Sequence, residues 1–91
     1  MKVVISQRVD TVEAYAERRD AVDQRLVNWI AAMGFVPLLV PNSLVDVSFP
    51  LDKQTRLKSW INAVGMDALI LSGGNNIGDV LERDLTEKYL L

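Results

Sequence analysis

Asp67-Ala-Leu-Ile-Leu-Ser-Gly-Gly-Asn-Asn-Ile-Gly-Asp79 is the stretch that decides the fold, because a short apolar run there breaks into a glycine-rich loop. Ala68 to Leu71 are four apolar residues, as expected of a strand that is buried on both faces. Ser72, Gly73 and Gly74 follow, and glycines let backbone amides approach a ligand without interference from side chains. We therefore expect the functional site at the end of this strand.

Two other apolar runs predict strands that precede this one. Val3 to Ile5 is a β-branched run that indicates a first strand, and Phe35 to Val40 indicates a second. Pro37 has no N–H group to donate to a ladder, so the second strand is expected at the edge of a sheet. The run from Asp67 to Ser72 is then the third strand.

Apolar residues at spacings of three and four predict a helix from about Glu17 to Met33, which Gly34 ends as a C-terminal cap. The stripe consists of Val22, Leu26, Trp29, Ile30 and Met33. The same spacing predicts a second helix, with Asp52 as its N-cap and Gly65 at its end. Its stripe consists of Leu57, Trp60, Ile61 and Val64. Both tryptophans are expected in the core, and a third helix is predicted to start near Asp84.

The segment between the first strand and the first helix is less clear. Ser6-Gln7-Arg8 is expected to open a loop. Asp10 and Glu13 have the spacing of a capping box, but the residues as far as Tyr15 fit a loop across the strand end equally well. This segment is left unassigned.

The order of these elements predicts a single α/β domain over residues 1–91. Its three-stranded parallel sheet would have the order 2-1-3 with flanking helices, as in the N-terminal part of a flavodoxin-like doubly wound fold. The third strand would then be an apolar edge without a neighbour. We expect the remainder of a longer protein or a second copy to cover it.

Composition excludes several kinds of chemistry. The 91 residues contain no cysteine and no histidine, which removes thiolate nucleophiles and the commonest general base and metal ligand. We expect neither a metal nor a cofactor. The net charge is -2 with both signs scattered, so neither nucleic acid nor a membrane is an expected partner. No signal peptide or long apolar run is evident, and a cytoplasmic location is the default expectation.

The chain resembles the N-terminal part of the class I glutamine amidotransferase-like family, especially its gamma-glutamyl hydrolase branch. The similar segments, in order, are Ile5 to Arg8, Pro37 to Pro41, Asp67 to Gly78, and Glu82-Arg83-Asp84 with Glu87. The resemblance covers the whole chain but less than half of a typical family member. Asn76 is a departure, since the family often has aspartate there.

The resemblance implies a division of roles. In the family, a cysteine nucleophile follows the next strand and a histidine and an acidic residue complete the triad, so all three would lie beyond Leu91. Gly73 and Gly74 would supply backbone amides to an oxyanion hole for a small-molecule gamma-glutamyl substrate. By resemblance, Arg83, Asp84 and Glu87 would shape the substrate side of the pocket. Gln7 and Arg8, at the carboxyl end of the first strand where open α/β sheets bind ligands, and Asn75 in the glycine-rich loop are the other expected substrate-binding residues. The chain is then a segment of a hydrolase and is expected to be inactive alone.

Less specific interpretations stay open for each of these residues. Glycines after a parallel strand often form a tight turn without a ligand, and Arg83 and Asp84 would suit a helix start on the surface. Asp10, Glu13, Glu17 and Asp20 are expected to form a solvated face. The alternative function is a non-enzymatic α/β module that dimerises or binds a partner through its third strand.

Overall fold

The computed structural model describes residues 1–72 and 80–91. In order along the chain, the strands and α-helices in these ranges are β1 (Lys2–Ile5), β2 (Arg8–Val12), β3 (Glu17–Ala21), α1 (Gln24–Ala32), β4 (Val36–Leu39), α2 (Thr55–Val64), β5 (Ala68–Ile70) and α3 (Leu81–Leu90). Single turns of 3-10 helix lie at Glu13–Tyr15, Asn42–Leu44 and Leu51–Lys53. Gly73, Gly74, Asn75 and Asn76 lie outside the described residues.

A three-stranded parallel sheet forms the centre, in the order β4-β1-β5. The α/β class and the parallel sheet are thus confirmed. The predicted order 2-1-3 counted three strands, whereas the order over the five strands of the described residues is β4-β1-β5, because β2 and β3 intervene between β1 and β4 and form a sheet of their own. Within the parallel sheet, β1 lies between the other two predicted strands, as expected. Among the described residues β4 is an edge strand, as Pro37 predicts.

Helices cover both faces of the parallel sheet, and the side chains of β1 alternate between the two cores that result. Val3 and Ile5 pack with Ile30 of α1. Val4 points to the other face, where it packs with Leu57 of α2 and Leu90 of α3. Each of these three β1 side chains is at most 3% exposed, so the first strand is the centre of the domain.

An antiparallel hairpin replaces the loop and the first part of the helix that the sequence predicts. β2 starts at Arg8, where a loop was expected, and β3 occupies Glu17 to Ala21, where the helix was expected. The segment is strongly charged, and its strands pair across a turn in which Ala16 has a φ of 51°. Helix α1 begins at Gln24, about two turns after the predicted start near Glu17, where Asp23 Oδ1 accepts the Arg25 N–H at 2.8 Å.

The two tryptophans have different environments. Trp29 is 58% exposed, so its prediction as a core residue is wrong, whereas its neighbour Ile30 is fully buried. The apolar stripe of a nine-residue helix is narrow, and Trp29 lies on its flank. Trp60 is half-buried and packs against the core beside Leu57, as predicted. Gly34 and Gly65, with φ values of 82° and 70°, end α1 and α2 as predicted.

The starts of α2 and α3 also differ from the predictions. Asp52 does not cap α2, because it lies in a 3-10 turn and the N-cap position belongs to Gln54. The buried Gln54 amide orders the preceding loop: its Oε1 accepts the Asp46 N–H at 2.9 Å and its Nε2 donates to the Asp46 carbonyl at 2.7 Å. Helix α3 begins at Leu81, three residues before the predicted start near Asp84.

Candidate functional site

The carboxyl ends of β1 and β5 are joined by two serines. The Ser6 N–H donates to the Ile70 carbonyl at 3.0 Å. The Ser72 N–H donates to Ser6 Oγ at 2.9 Å, and Ser72 Oγ donates to the Ser6 carbonyl at 2.6 Å. Ligands of open α/β sheets bind at the carboxyl ends of the strands. These bonds therefore fix Ser72, the last described residue before the glycine-rich segment, at the edge where a ligand is expected.

Helix α3 supplies an arginine and a glutamate to the same point. The Arg83 Nη2 donates to the Ser72 carbonyl and lies 3.4 Å from Glu87 Oε2, one turn further along the helix. Ser6 Oγ donates to that same Glu87 oxygen at 2.8 Å. Arg83 is 4% exposed and Ser6 is fully buried. We call Ser6, Ser72, Arg83 and Glu87 the β1–β5 clamp, because they tie two strand ends to one helix.

Burial explains why the clamp contains both charges. Removing a guanidinium from water is costly unless a carboxylate and hydrogen-bond acceptors replace the solvent. Glu87 and the Ser72 carbonyl provide these for Arg83. The Ser6 hydroxyl acts in both directions, since it donates to Glu87 and accepts from Ser72. The predicted substrate-binding residues Arg83 and Glu87 are thus engaged with the backbone and with each other.

Gln7 and Asn42 make a second link, between the carboxyl ends of β1 and β4. Gln7 Nε2 donates to the Val40 carbonyl at 2.9 Å, and Asn42 Nδ2 donates to the Gln7 carbonyl at 3.0 Å. Gln7 is 7% exposed and Asn42 is 1% exposed. Gln7 was predicted to bind substrate, and the structure places its amide nitrogen in a contact inside the protein.

Arg8 and Asp84 have more accessible positions. Arg8 begins β2, where its Nε lies 3.3 Å from Asp10 Oδ2. Arg8 and Ser72 also line a common cavity of ≈ 440 Å³. Asp84 is half-buried in the first turn of α3, and its N–H donates to the Val80 carbonyl at 3.1 Å. Of the predicted substrate-binding residues that the structure describes, these two have side chains nearer to solvent than Gln7 and Arg83.

The hairpin contributes to the site in a way that the sequence does not indicate. The Arg18 Nη2 of β3 pairs with Glu82 Oε1 at the start of α3. Asp20, expected to be a solvated charge, accepts the Asn42 N–H at 3.1 Å and Asn42 Nδ2 at 2.9 Å. A cavity of ≈ 270 Å³, which we call the hairpin cavity, lies between these elements. It is lined by Val9, Arg18, Asp20, Asn42, Ser43, Val45 and Glu82.

The alternation of side chains along β3 is the feature of the sequence that relates to this cavity. Arg18 and Asp20 are two residues apart and lie on one face of the strand, while Glu17 and Arg19 lie on the other. All four residues are charged, so the alternation has no apolar component. A period of two was therefore not visible as a pattern of hydrophobicity.

No protein-family model, no curated protein and no solved structure matches this chain. Among residues 1–72 and 80–91, no group of three or more acidic, histidine or cysteine side chains is placed to hold a metal ion. The helices in those ranges are all too short or too polar to cross a membrane. The site is thus defined by the β1–β5 clamp, the Gln7–Asn42 link and the hairpin cavity.

Proposed function

We propose that this chain is the N-terminal segment of a glutamine amidotransferase-like hydrolase that cleaves a gamma-glutamyl amide. The nucleophilic cysteine, the histidine and its acidic partner would lie outside these 91 residues, which contain neither cysteine nor histidine. The parallel sheet with helices on both faces suits the N-terminal part of a flavodoxin-like fold.

The observation that carries this proposal is the β1–β5 clamp. Hydrolysis of an amide requires hydrogen-bond donors that are already in place when negative charge develops on the carbonyl oxygen. In the proposed enzyme these donors include backbone amides of Gly73 and Gly74. The clamp holds Ser72, the residue before them, with three hydrogen bonds, which its N–H, Oγ and carbonyl make with Ser6 and Arg83. A further bond from the Ser6 hydroxyl to Glu87 ties Ser6 to helix α3.

The clamp also changes the roles proposed for two residues. Arg83 and Glu87 are engaged in fixing Ser72, so we assign them to positioning the loop rather than to contact with the substrate. Arg8, which is exposed, and Asp84, which is half-buried, keep their proposed place on the substrate side. Gln7 is assigned to holding the end of β4 through the Val40 carbonyl.

Release of ammonia from glutamine and from other gamma-glutamyl amides tests the proposal. The chain of residues 1–91 is compared with the extended polypeptide, which is translated from Met1 through the coding region that follows Leu91. We expect turnover by the extended polypeptide and none by the chain alone. Robust turnover by residues 1–91, or an extended polypeptide without turnover, would contradict the proposal.

A second candidate function is a non-enzymatic module that pairs with a partner or a second copy through β5. The two edges of the parallel sheet favour it. The Val36 N–H donates to the carbonyl of Met1, just before β1, and the Val40 N–H donates to the Ile5 carbonyl of β1. Position 37 of β4 therefore faces outward, where proline has no N–H to offer. β5 contains no proline, its three residues are half-buried, and the following Leu71 is 44% exposed.

Two measurements separate the candidates. If the coding region after Leu91 encodes a strand followed by Gly-x-Cys-x-Gly, the hydrolase is favoured. If the native protein has the 10.2 kDa mass of this chain and sediments as a dimer, the pairing module is favoured. A monodisperse monomer of that mass in analytical ultracentrifugation would argue against pairing between copies.

A further inference from the structure

The hairpin cavity lies outside the β1–β5 clamp and combines both signs of charge in a small volume. Arg18 and Asp20 come from the same face of β3, and Glu82 comes from the first turn of α3. Asn42 and Ser43 follow the end of β4, which places the cavity at the carboxyl edge of the parallel sheet. This is the edge at which α/β proteins bind ligands.

The charged groups of the cavity retain hydrogen-bonding capacity beyond their contacts within the protein. A guanidinium has five N–H donors, and the Nη2 of Arg18 binds Glu82. From residues 1–72 and 80–91, the Asp20 carboxylate accepts one hydrogen bond at each oxygen, both from Asn42, and a carboxylate has about four acceptor sites. Arg18 and its carboxylate partner Glu82 are also partly exposed, with 51% and 25% of their side-chain surfaces accessible.

Asn42 is the buried polar residue of this cavity. It is 1% exposed, and its side-chain Nδ2 donates to Asp20 Oδ1 and to the Gln7 carbonyl. Its side-chain Oδ1 has no hydrogen-bond partner in the described part of the chain. Such an acceptor costs about 1–3 kcal/mol when it is left without a donor, so a donor at this position would stabilise the site.

We infer that the hairpin cavity binds a small zwitterion with the ammonium and carboxylate groups of an α-amino acid. The Arg18 guanidinium binds the carboxylate, and Asp20 and Glu82 bind the ammonium group. The volume of ≈ 270 Å³ is just below the range of about 300–1,000 Å³ typical of ligand pockets, which favours a compact ligand. One cation beside two carboxylates disfavours phosphate or a simple dicarboxylate.

This inference deepens the proposed function, and it rests on that function for the choice of ligand. A gamma-glutamyl group carries the same α-ammonium and α-carboxylate groups, so L-glutamine is the probe. Arg18 and Asp20 then determine recognition of the part of the substrate that does not react. Binding is measured on the 91-residue chain without turnover.

The test is an NMR titration of the 15N-labelled chain with L-glutamine. We expect saturable shifts at the Asn42 side-chain amide and at the Arg18 Nε–H. N-acetyl-L-glutamine, which lacks the ammonium, and L-glutamine methyl ester, which lacks the carboxylate, are each expected to bind at least about tenfold more weakly, as loss of a charge-assisted contact predicts.

Variants on the two faces of the hairpin provide matched controls. Arg18→Gln is expected to weaken glutamine binding by at least about tenfold, whereas Arg19→Gln, on the opposite face, leaves it unchanged. Asp20→Asn against Glu17→Gln, on the opposite face of β3, is the corresponding acidic pair. Since Asp20 also holds Asn42, Arg18→Gln decides the test if Asp20→Asn perturbs folding.

Two results would overturn the inference: no saturable shift with L-glutamine, or equal weakening by Arg18→Gln and Arg19→Gln. These are distinguishable from failure of the proposed function. Turnover by the extended polypeptide without binding at the hairpin cavity rejects the cavity alone. Binding to the chain without any turnover by the extended polypeptide confirms the cavity and rejects the hydrolase.

Discussion

The β1–β5 clamp and the hairpin cavity each contain an arginine paired with a glutamate of α3, and the two pairs differ in exposure. Arg83 is 4% exposed, and its partner Glu87 also binds Ser6. The Arg18 side chain is 51% exposed. A buried ion pair is difficult to break because a single remaining charge is stranded, while an exposed pair exchanges readily with water or a ligand. The same chemistry therefore suits a fixed support in one place and recognition in the other.

Removing the buried arginine should have the largest effect. Arg83→Met leaves Glu87 without its cation, and we expect the free energy of unfolding to fall by about 3–5 kcal/mol. Urea denaturation followed by circular dichroism measures this change. Arg18→Met is the matched control, with an expected loss of at most about 1 kcal/mol. Equal losses in the two variants would remove the distinction between clamp and cavity.

Removing the Ser6 hydroxyl, which bridges Glu87 and Ser72, should lower the free energy of unfolding by a smaller amount. Ser6→Ala removes the donor to Glu87 and the acceptor of the Ser72 N–H, and should lower the free energy of unfolding by about 1–3 kcal/mol. Ser43→Ala is the control because Ser43 is exposed and belongs to the cavity. If both alanine variants unfold at the same urea concentration as the unchanged chain, the Ser6 contacts contribute nothing to stability.

The smallest expected effect comes from Asp23, the exposed N-cap of α1, and it concerns the pH dependence of stability. The hydrogen bond from the Arg25 side chain, followed by that from the Arg25 N–H, lowers the pKa of Asp23 from 3.8 to about 2. The folded state thus binds its proton less tightly than the unfolded state. The stabilisation by Asp23 is fully present above pH 3.8 and is lost as the pH falls towards 2.

Asp23→Asn keeps a capping side chain and removes the titrating group. Thermal melts between pH 2 and 5 are therefore expected to show a weaker acid-side decline of the melting temperature in this variant than in the unchanged chain. The two curves should converge at the acid end, where Asp23 is protonated. Parallel curves over the whole range would show that Asp23 does not contribute to the pH dependence.

The central sheet was predictable from the sequence, and the hairpin was not. Val3 to Ile5 and the residues around Leu69 are apolar runs because their strands lie between two helical layers. The hairpin strands contain few apolar residues, and Val9 is the residue of β2 that is buried. The pairing of β2 with β3 depends on backbone hydrogen bonds and on charged side chains that bind to other elements. Neither β propensity nor hydrophobic periodicity therefore predicts these two strands.

The candidate site was predictable in its location but not in its contacts. The resemblance indicates Arg83 and Glu87, and the structure places Arg83 against Ser72 and Glu87 against Arg83 and Ser6. The role of Ser6 depends on a residue 81 positions away in the chain, which no local pattern specifies. Asp20 and Asn42 are likewise distant in the sequence, 22 positions apart, and they are in contact because the hairpin lies beside the end of β4.

Steady-state kinetics of two variants of the extended polypeptide tests the division of roles most directly. Arg83→Lys should lower kcat for glutamine with little change in KM, because it disturbs Ser72, the residue that precedes the proposed oxyanion donors Gly73 and Gly74. Arg18→Gln should raise KM with little change in kcat, since it removes a contact that forms equally with substrate and transition state. If both variants change the same parameter by similar factors, the clamp and the cavity do not have separate roles.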